Sequence, residues 1–460
     1  MQQMSYKPRI VPPLDREFIP AALYGKAIGS IEESESVTLK IALETPDGSV
    51  SHHGIEVVPD QHPLSGDCTR FVERTFKFLL WQRGGSKIYV GGPRSIGEQI
   101  KRTYSASGER VFDASLMGTI YNHPLEVEVC SPYEIPDSRE MRHDAGGHLN
   151  GCRIGFDLGA SDIKIAAVQD GYPLLQEEII WEPSSHSSPE YHYRHIMNAL
   201  QMAASKLERV DAIGGSAAGI YVDKRVRVAS LFRGIPDERY DEVRDLFVRI
   251  EEEMGVPLIL ANDGDVAALA AAMSSQATNV LGIALGSSEA SGYVDSKGHI
   301  TGWLNELAFA PIDYSPSAAV DEWSGDRGCG ASYLSQQAAF RLAANAGIRL
   351  PQGVANAEKL LFLQEKLQRQ EQRAVQIWES IGIYAGYAVA HYASFYDIEL
   401  VLLLGRVTSG AGGEIILQAL RRVLRSEFPI FAELLEVSLP DEQSRRFGQA
   451  MAAASLPFVA

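Results

Sequence analysis

Three short loops rich in glycine and serine, each leaving an apolar run, are where this sequence could do chemistry. They are DLGAS at 157–161, LGSSEASG at 285–292 and LGRVTSGAGG at 404–413. Glycine lets backbone N–H groups approach a phosphate that a larger side chain would hold off. The first loop opens on a lone acid, Asp157, and carries the hydroxyl of Ser161. A carboxylate in that place can hold Mg²⁺, directly or through water, and the metal neutralises phosphate charge. A second acid, Asp263, follows the run PLILAN between the first and second loops. One such loop reads as an ordinary turn, but three in series with that acid between them point to phosphate chemistry.

The elements that must carry these loops alternate strand and helix, the mark of an α/β architecture. Strands are expected at 153–157, 162–168 and 173–181, then a helix over 188–208 with Ile196, Leu200, Ala203 and Leu207 on one face. VDAIGGSAAGI reads as a strand opening into a small-residue loop. Tyr240, Val243, Phe247, Ile250 and Met254 make the stripe of a further helix that stops at Gly255. The third loop joins the strand LVLLL to the helix GEIILQALRRVL. Before residue 150, two strands flank a Pro-Asp-Gly turn, and the helix CTRFVERTFKFLLWQRG leads to the strand KIYVGG and the helix SIGEQIKRTY. The polar stretch YEIPDSREMRHDAGGHLNG is the expected linker.

Composition narrows the function classes. The chain has 460 residues, 45% apolar and 22% charged, which is globular rather than disordered. Its formal net charge is −17, and residues 1–150 hold 16 Lys+Arg against 20 Asp+Glu, a net of −4. Nucleic-acid binding, which needs a basic surface, is therefore not expected. No stretch has the length of a membrane span, so no membrane association is expected either. The four cysteines, Cys68, Cys130, Cys152 and Cys329, form no C-x-x-C pair, and a reducing cytoplasm is the expected location.

The order of motifs resembles the sugar-kinase, actin and heat-shock-chaperone ATPase superfamily, and within it the ROK family of sugar kinases and repressors. Asp157–Lys164 resembles D-x-G-G-T-x-x-K, and ANDGDVAALAA resembles N-D-A-N-A-A-A-L-A. LGSSEASGYVDSKGHITG resembles L-G-T-G-x-G-G-G, NELAF stands at G-E-x-G-H, and LLLGRVTSGAGGE resembles the adenosine motif. GQAMAAASL is similar to the closing helix, so the resemblance covers roughly residues 151–457. It implies an actin-like ATPase (ribonuclease H-like) two-lobed kinase core, to which residues 1–150 add an N-terminal α+β domain. The first lobe would be 151–262, completed by a helix at 445–457, and the second 263–444. KIYVGGPRSIGEQIKRTY mimics the strand–Gly–helix of the third loop, so the N-terminal part could also be a worn copy of half the superfamily fold.

The resemblance implies phosphoryl transfer from ATP to a sugar hydroxyl. Asp263 would be the base, with capping of the following helix as its structural alternative. Asn262 and Glu306 would bind the sugar. Asp157, Gly159, Ser161, Lys164, Gly286, Ser287, Ser288, Gly405 and Gly410 would hold the nucleotide, with Mg²⁺ at Asp157. Asp265 has no family counterpart and reads as a helix-dipole partner. The partners are thus a small-molecule sugar and a nucleotide, with a homodimer open as the assembly.

The sequence departs from the family in places. The zinc positions read Phe309, Glu322, Ser324 and Cys329, and one thiolate cannot make a tetrahedral centre, so no zinc is expected. Phe309 and Ala331 also replace two sugar contacts, which favours a substrate with a less polar edge than glucose. Glu289 replaces a glycine and would add negative charge near the phosphates; Arg406 replaces another. These losses leave open a catalytically weak or inactive sugar or nucleotide sensor, and an ATPase that drives a partner.

Overall fold

The computed structural model describes residues 7–32, 35–139, 144–440 and 442–459, with side chains of 442–447 left out. Residues 140–143 of the expected linker lie outside the described residues. The chain forms two compact units. The first comprises Met1–Met141, Ile283–Ala290 and Trp303–Leu439, and the second Arg142–Gly282, Ser291–Gly302 and Pro440–Ala460.

The second unit is built on a five-stranded sheet in the order Leu258–Asn262, Ala212–Ala217, Cys152–Leu158, Asp162–Gln169, Tyr172–Ile180. The first three strands run parallel, and the last two fold back as an antiparallel meander. Every residue of Cys152–Leu158 is buried, as befits a central strand covered on both faces. One face is covered by helix Pro189–Ala204, which sets Ile196, Met197, Leu200 and Ala203 into the core. Helix Glu442–Ala454 presses on the other so closely that its backbone leaves no room for side chains beneath. A Cβ on Gly155 would lie 1.8 Å from the Ala450 oxygen, and one on Gly214 1.6 Å from that of Ala453. The stripe from Tyr240 to Met254 is two helices, Tyr240–Arg244 and Leu246–Met254, because Asp245 (ψ 12°) leaves helical geometry between them. Gly255, at φ 66°, ends the second in the left-handed conformation the sequence signals.

In the first unit, the N-terminal sheet has the order Val50–Val57, Val37–Glu44, Lys87–Gly91, Glu126–Cys130. Val37–Glu44 pairs antiparallel with both of its neighbours, and only Lys87–Gly91 and Glu126–Cys130 are parallel. This sheet shares a strand–Gly–helix unit with the rest of the chain, but not the strand order of the five-stranded sheet. Strands Leu400–Leu404 and Glu436–Ser438, paired in parallel, also lie wholly in this unit. Long helices Gln372–Tyr392 and Ala411–Glu427 pack together at Gly382, where a Cβ would lie 2.6 Å from the Ile416 oxygen.

Helix Ser65–Arg83 ties the N-terminal segment into this unit through buried charge. Lys77 has no exposed surface; its Nζ lies 3.1 Å from Asp113 Oδ2 and 2.8 Å from Asp326 Oδ2. Arg74 Nη1 and Arg110 Nη1 reach the same Asp326 at 3.0 and 2.6 Å, and both arginines also pair with Glu73. Burial opposes the charge on Lys77, but Cys329, Asp113 and Asp326 outweigh it and raise its pKa. Removing one partner of such a set strands the others in a low dielectric. Lys77→Ala is expected to cost about 3–5 kcal/mol of stability, read from urea denaturation of the full chain.

Candidate functional site

Asp157 owes its surroundings to strand pairing. In the sheet register it stands beside Lys164 on one neighbouring strand and Ser216 on the other. Its carboxylate is buried, accepts a 2.7 Å hydrogen bond from Ser216 Oγ at Oδ1, and lies 3.7 Å from Lys164 Nζ at Oδ2. Burial pushes the Asp157 carboxyl above its ordinary range, against the pull of Ser216 and Lys164. Burial likewise works against the Lys164 charge, but Asp162 and Asp157 hold it on. Lys164 Nζ bonds Asp162 Oδ1 at 2.7 Å, and Ser161 Oγ donates to Asp162 Oδ2 at 3.1 Å. The Gly159 N–H closes the turn onto the Asp162 oxygen, and Trp181 Nε1 clamps the Gly159 carbonyl at 2.9 Å.

Asp263 opens helix Asp263–Ser275, but the cap is Asn262, whose Oδ1 accepts from the Gly264 N–H at 2.7 Å. The same N–H also reaches Asp263 Oδ1, at the longer distance of 3.1 Å. Asn262 Nδ2 also donates to the Gly219 carbonyl at 2.8 Å, so both ends of the Asn262 amide hold the backbone. Burial and then the Asp157 charge push the Asp263 carboxyl up to about 6. Tyr221 shares this environment, its own pKa raised by burial and next by Asp263. Asp265 sits in the first turn, as expected, and also accepts a hydrogen bond from the Tyr293 N–H at 3.2 Å. Sequence reading passed over Ser216 and Tyr221: Ser216 lies in a strand, and only the register shows that it faces Asp157.

The remaining candidates belong to the first unit. Gly286 donates to the Ser288 carbonyl and accepts from the Gln336 N–H, while Ser287 is exposed at the loop tip. Gly405, at φ 95°, and Gly410, at φ 62°, bracket the exposed Arg406. Glu289, which stands where the family has a glycine, faces inward from the loop. Its carboxylate is buried, with Oε1 accepting from Tyr392 Oη at 3.0 Å and Oε2 lying 2.0 Å from where a Gly330 Cβ would be.

Glu306 is held from behind. The last carbonyls of an α-helix lack partners within the helix. In helix Ser65–Arg83, those of Gln82 and Trp81 accept from the N–H groups of Asn305 and Glu306 at 2.9 and 3.0 Å. The Trp81 ring lies 4.3 Å from that of Phe309, and Phe112 and Trp323 close around it. Phe309 and Ala331 are both buried.

The ROK family model matches residues 153–454, about two thirds of the chain. The chain belongs to the ROK family. Among solved structures it is similar to a ROK hexokinase from Thermus thermophilus, with 21% identity, a TM-score of 0.52 and coverage of 66% of this chain and 97% of that one. A putative sugar kinase from Cytophaga hutchinsonii matches with 14% identity, a TM-score of 0.50 and coverage of 66% and 98%. At such identities the likeness shows the fold, which is mixed α/β of the ROK kinase type. No curated protein sequence matches the chain.

The side chains at the family's zinc positions do not fit a tetrahedral centre. Ser324 Oγ donates to Asp321 at 2.6 Å, Glu322 is exposed, and burial pushes the Cys329 thiol up to about 12. No group of three or more His, Cys, Asp or Glu among the described residues could hold a metal ion. A magnesium nucleotide asks less, since Mg²⁺ is usually held by one or two carboxylates with water and phosphate. Asp157, a hard oxygen donor with Lys164 beside it, fits that need. No helix among the described residues is long and apolar enough to cross a membrane.

A carboxyl held at about 6 in the fold, against about 3.9 unfolded, is disfavoured as the anion. The folded state therefore binds its proton more tightly, and the penalty appears as pH rises from about 4 through 6. Asp263→Asn is expected to raise the melting temperature at pH 8 and leave it unchanged at pH 3.5, as checked by thermal melts at both.

Proposed function

We propose that this ROK protein is an ATP-dependent sugar kinase, moving the γ-phosphoryl group of ATP to a sugar hydroxyl. The observation that carries this reading is the pair Asp157 and Asp263 in one unit, two carboxylates with different surroundings. Asp157 is hydrogen-bonded by Ser216 and beside a lysine; Asp263 accepts from the Gly264 N–H and is pushed up to about 6. Carboxylates whose environments differ in this way suit different tasks. Asp263, ionised at neutral pH yet close to its pKa, would take the proton from the attacking hydroxyl. Asn262 would orient the acceptor only through what its capping role leaves free, and Glu306 would accept from a sugar hydroxyl. Asp157 would hold Mg²⁺, directly or through water, while Lys164 and the loop residues Gly159, Ser161, Gly286, Ser287, Ser288, Gly405 and Gly410 hold the nucleotide. Magnesium-ATP supplies the phosphoryl group and neutralises its charge.

The second reading is a sensor that binds sugar or nucleotide without turnover. It is favoured by the buried, apolar Phe309 and Ala331 where the family resemblance implies polar sugar contacts. A coupled ADP-release assay over a sugar panel separates the two. Under the kinase reading Asp263→Asn lowers kcat by about 10²–10⁴-fold, with sugar affinity by calorimetry little changed. The wild-type rate falls as pH drops through about 6, where Asp263 takes up its proton. Tight sugar binding with no ADP release across the panel establishes the sensor instead.

A further inference from the structure

We propose that the first unit holds a second ligand site, a polar cavity of about 780 Å³ that takes a small, hydroxyl-rich anion. None of the residues assigned above to sugar or nucleotide lines it. Its volume lies in the range of small-molecule sites.

Two helices face the cavity with polar stripes at helical spacing. Ser65–Arg83 contributes Gly66, Arg70 and Arg74, with Ser65 and Thr69 alongside; Arg94–Thr103 contributes Ser95, Gln99 and Thr103. Residues four apart share one face of a helix, so each stripe is one continuous surface. Short hydroxyl and amide groups in such a row suit ligand hydroxyls, each able to donate and accept. Segments 313–316 and 324–327 form the opposite wall.

The charges sort into a neutral floor, three further acids each held by a partner, and two arginines with donors to spare. On the floor, Glu73, Asp113 and Asp326 are matched by Arg74, Lys77 and Arg110. Asp313 accepts from Tyr333 Oη, the Ile19 N–H and the Ser315 N–H. At the rim Asp60 accepts from Ser95, and Glu109 lies 3.4 Å from Arg110. Arg70 and Arg327 differ. Among the described residues their guanidinium groups meet only backbone carbonyls, those of Tyr314 and Ala318. Both are exposed and both line the cavity. A guanidinium with unused donors is suited to a planar or tetrahedral oxyanion. The ligand class is therefore a sugar phosphate or a sugar acid, whose shared feature is an anionic group on a polyhydroxyl frame.

The test is calorimetry on the full chain without nucleotide, titrating glucose 6-phosphate, gluconate, glucose and inorganic phosphate. The expected result is binding of glucose 6-phosphate or gluconate at least tenfold tighter than either glucose or phosphate. The double substitution Arg70→Gln with Arg327→Gln should weaken it tenfold or more without lowering the melting temperature. Gln99→Leu, which changes no charge, should weaken it too and serves where the double variant fails to fold. No binding by either anion, equal binding of inorganic phosphate, or affinity unchanged in these variants overturns the proposal. Because Arg70, Arg327 and Gln99 are not among the residues assigned to sugar or nucleotide, binding lost in these variants is separate from binding at the proposed kinase site.

Discussion

A carboxylate buried without compensation costs several kcal/mol, and Asp326 is buried. That constraint fixes the rotation of helix Ser65–Arg83. Arg74 and Lys77, three residues apart, must both face Asp326 and its neighbour Asp113. Once they do, Trp81, four residues further, falls on the same face, where its Nε1 donates to Asp113 at 2.7 Å and its ring covers Phe309. The helix end then lies where its free carbonyls take the amides of Asn305 and Glu306. One buried acid thus sets the backbone of a candidate sugar contact more than a dozen residues away in sequence.

Much of the second unit was legible in the sequence because its signals are local. Strand 152–158 is a residue longer than expected at each end, and strand 162–169 a residue longer at its far end. The loop acids and glycines likewise announce themselves by neighbours a few residues off. What remained hidden depends on pairing between distant segments. Ser216 acquires meaning only when its strand lies parallel to that of Asp157. Asn262 rather than Asp263 takes the cap, a choice between adjacent residues that both favour it.

The N-terminal segment was the least legible, and the reason is physical. Read alone it is an acidic α+β stretch, and Lys77 and Arg74 look like ordinary solvated charges on a helix. Their partner, Asp326, comes some 250 residues later. What the substitutions at the zinc and sugar positions pack against is hidden for the same reason: only the fold sets the Trp81 ring against Phe309 and the Tyr392 hydroxyl on Glu289. The segment and the lobe are shaped to each other, so neither can be read from its own residues.

The closeness of helix Glu442–Ala454 to Gly155 and Gly214 also has a consequence for the order in which the protein can be made. The ribosome releases the strands of the second unit long before this helix, and until it emerges one face of their sheet is uncovered. The first unit is interrupted too: its N-terminal portion must wait through most of the second unit for the carboxylate that its cations will meet. Domains that emerge in continuous blocks can fold in sequence during translation. Here neither unit is one continuous block, so each stays incomplete until segments far along the chain have arrived.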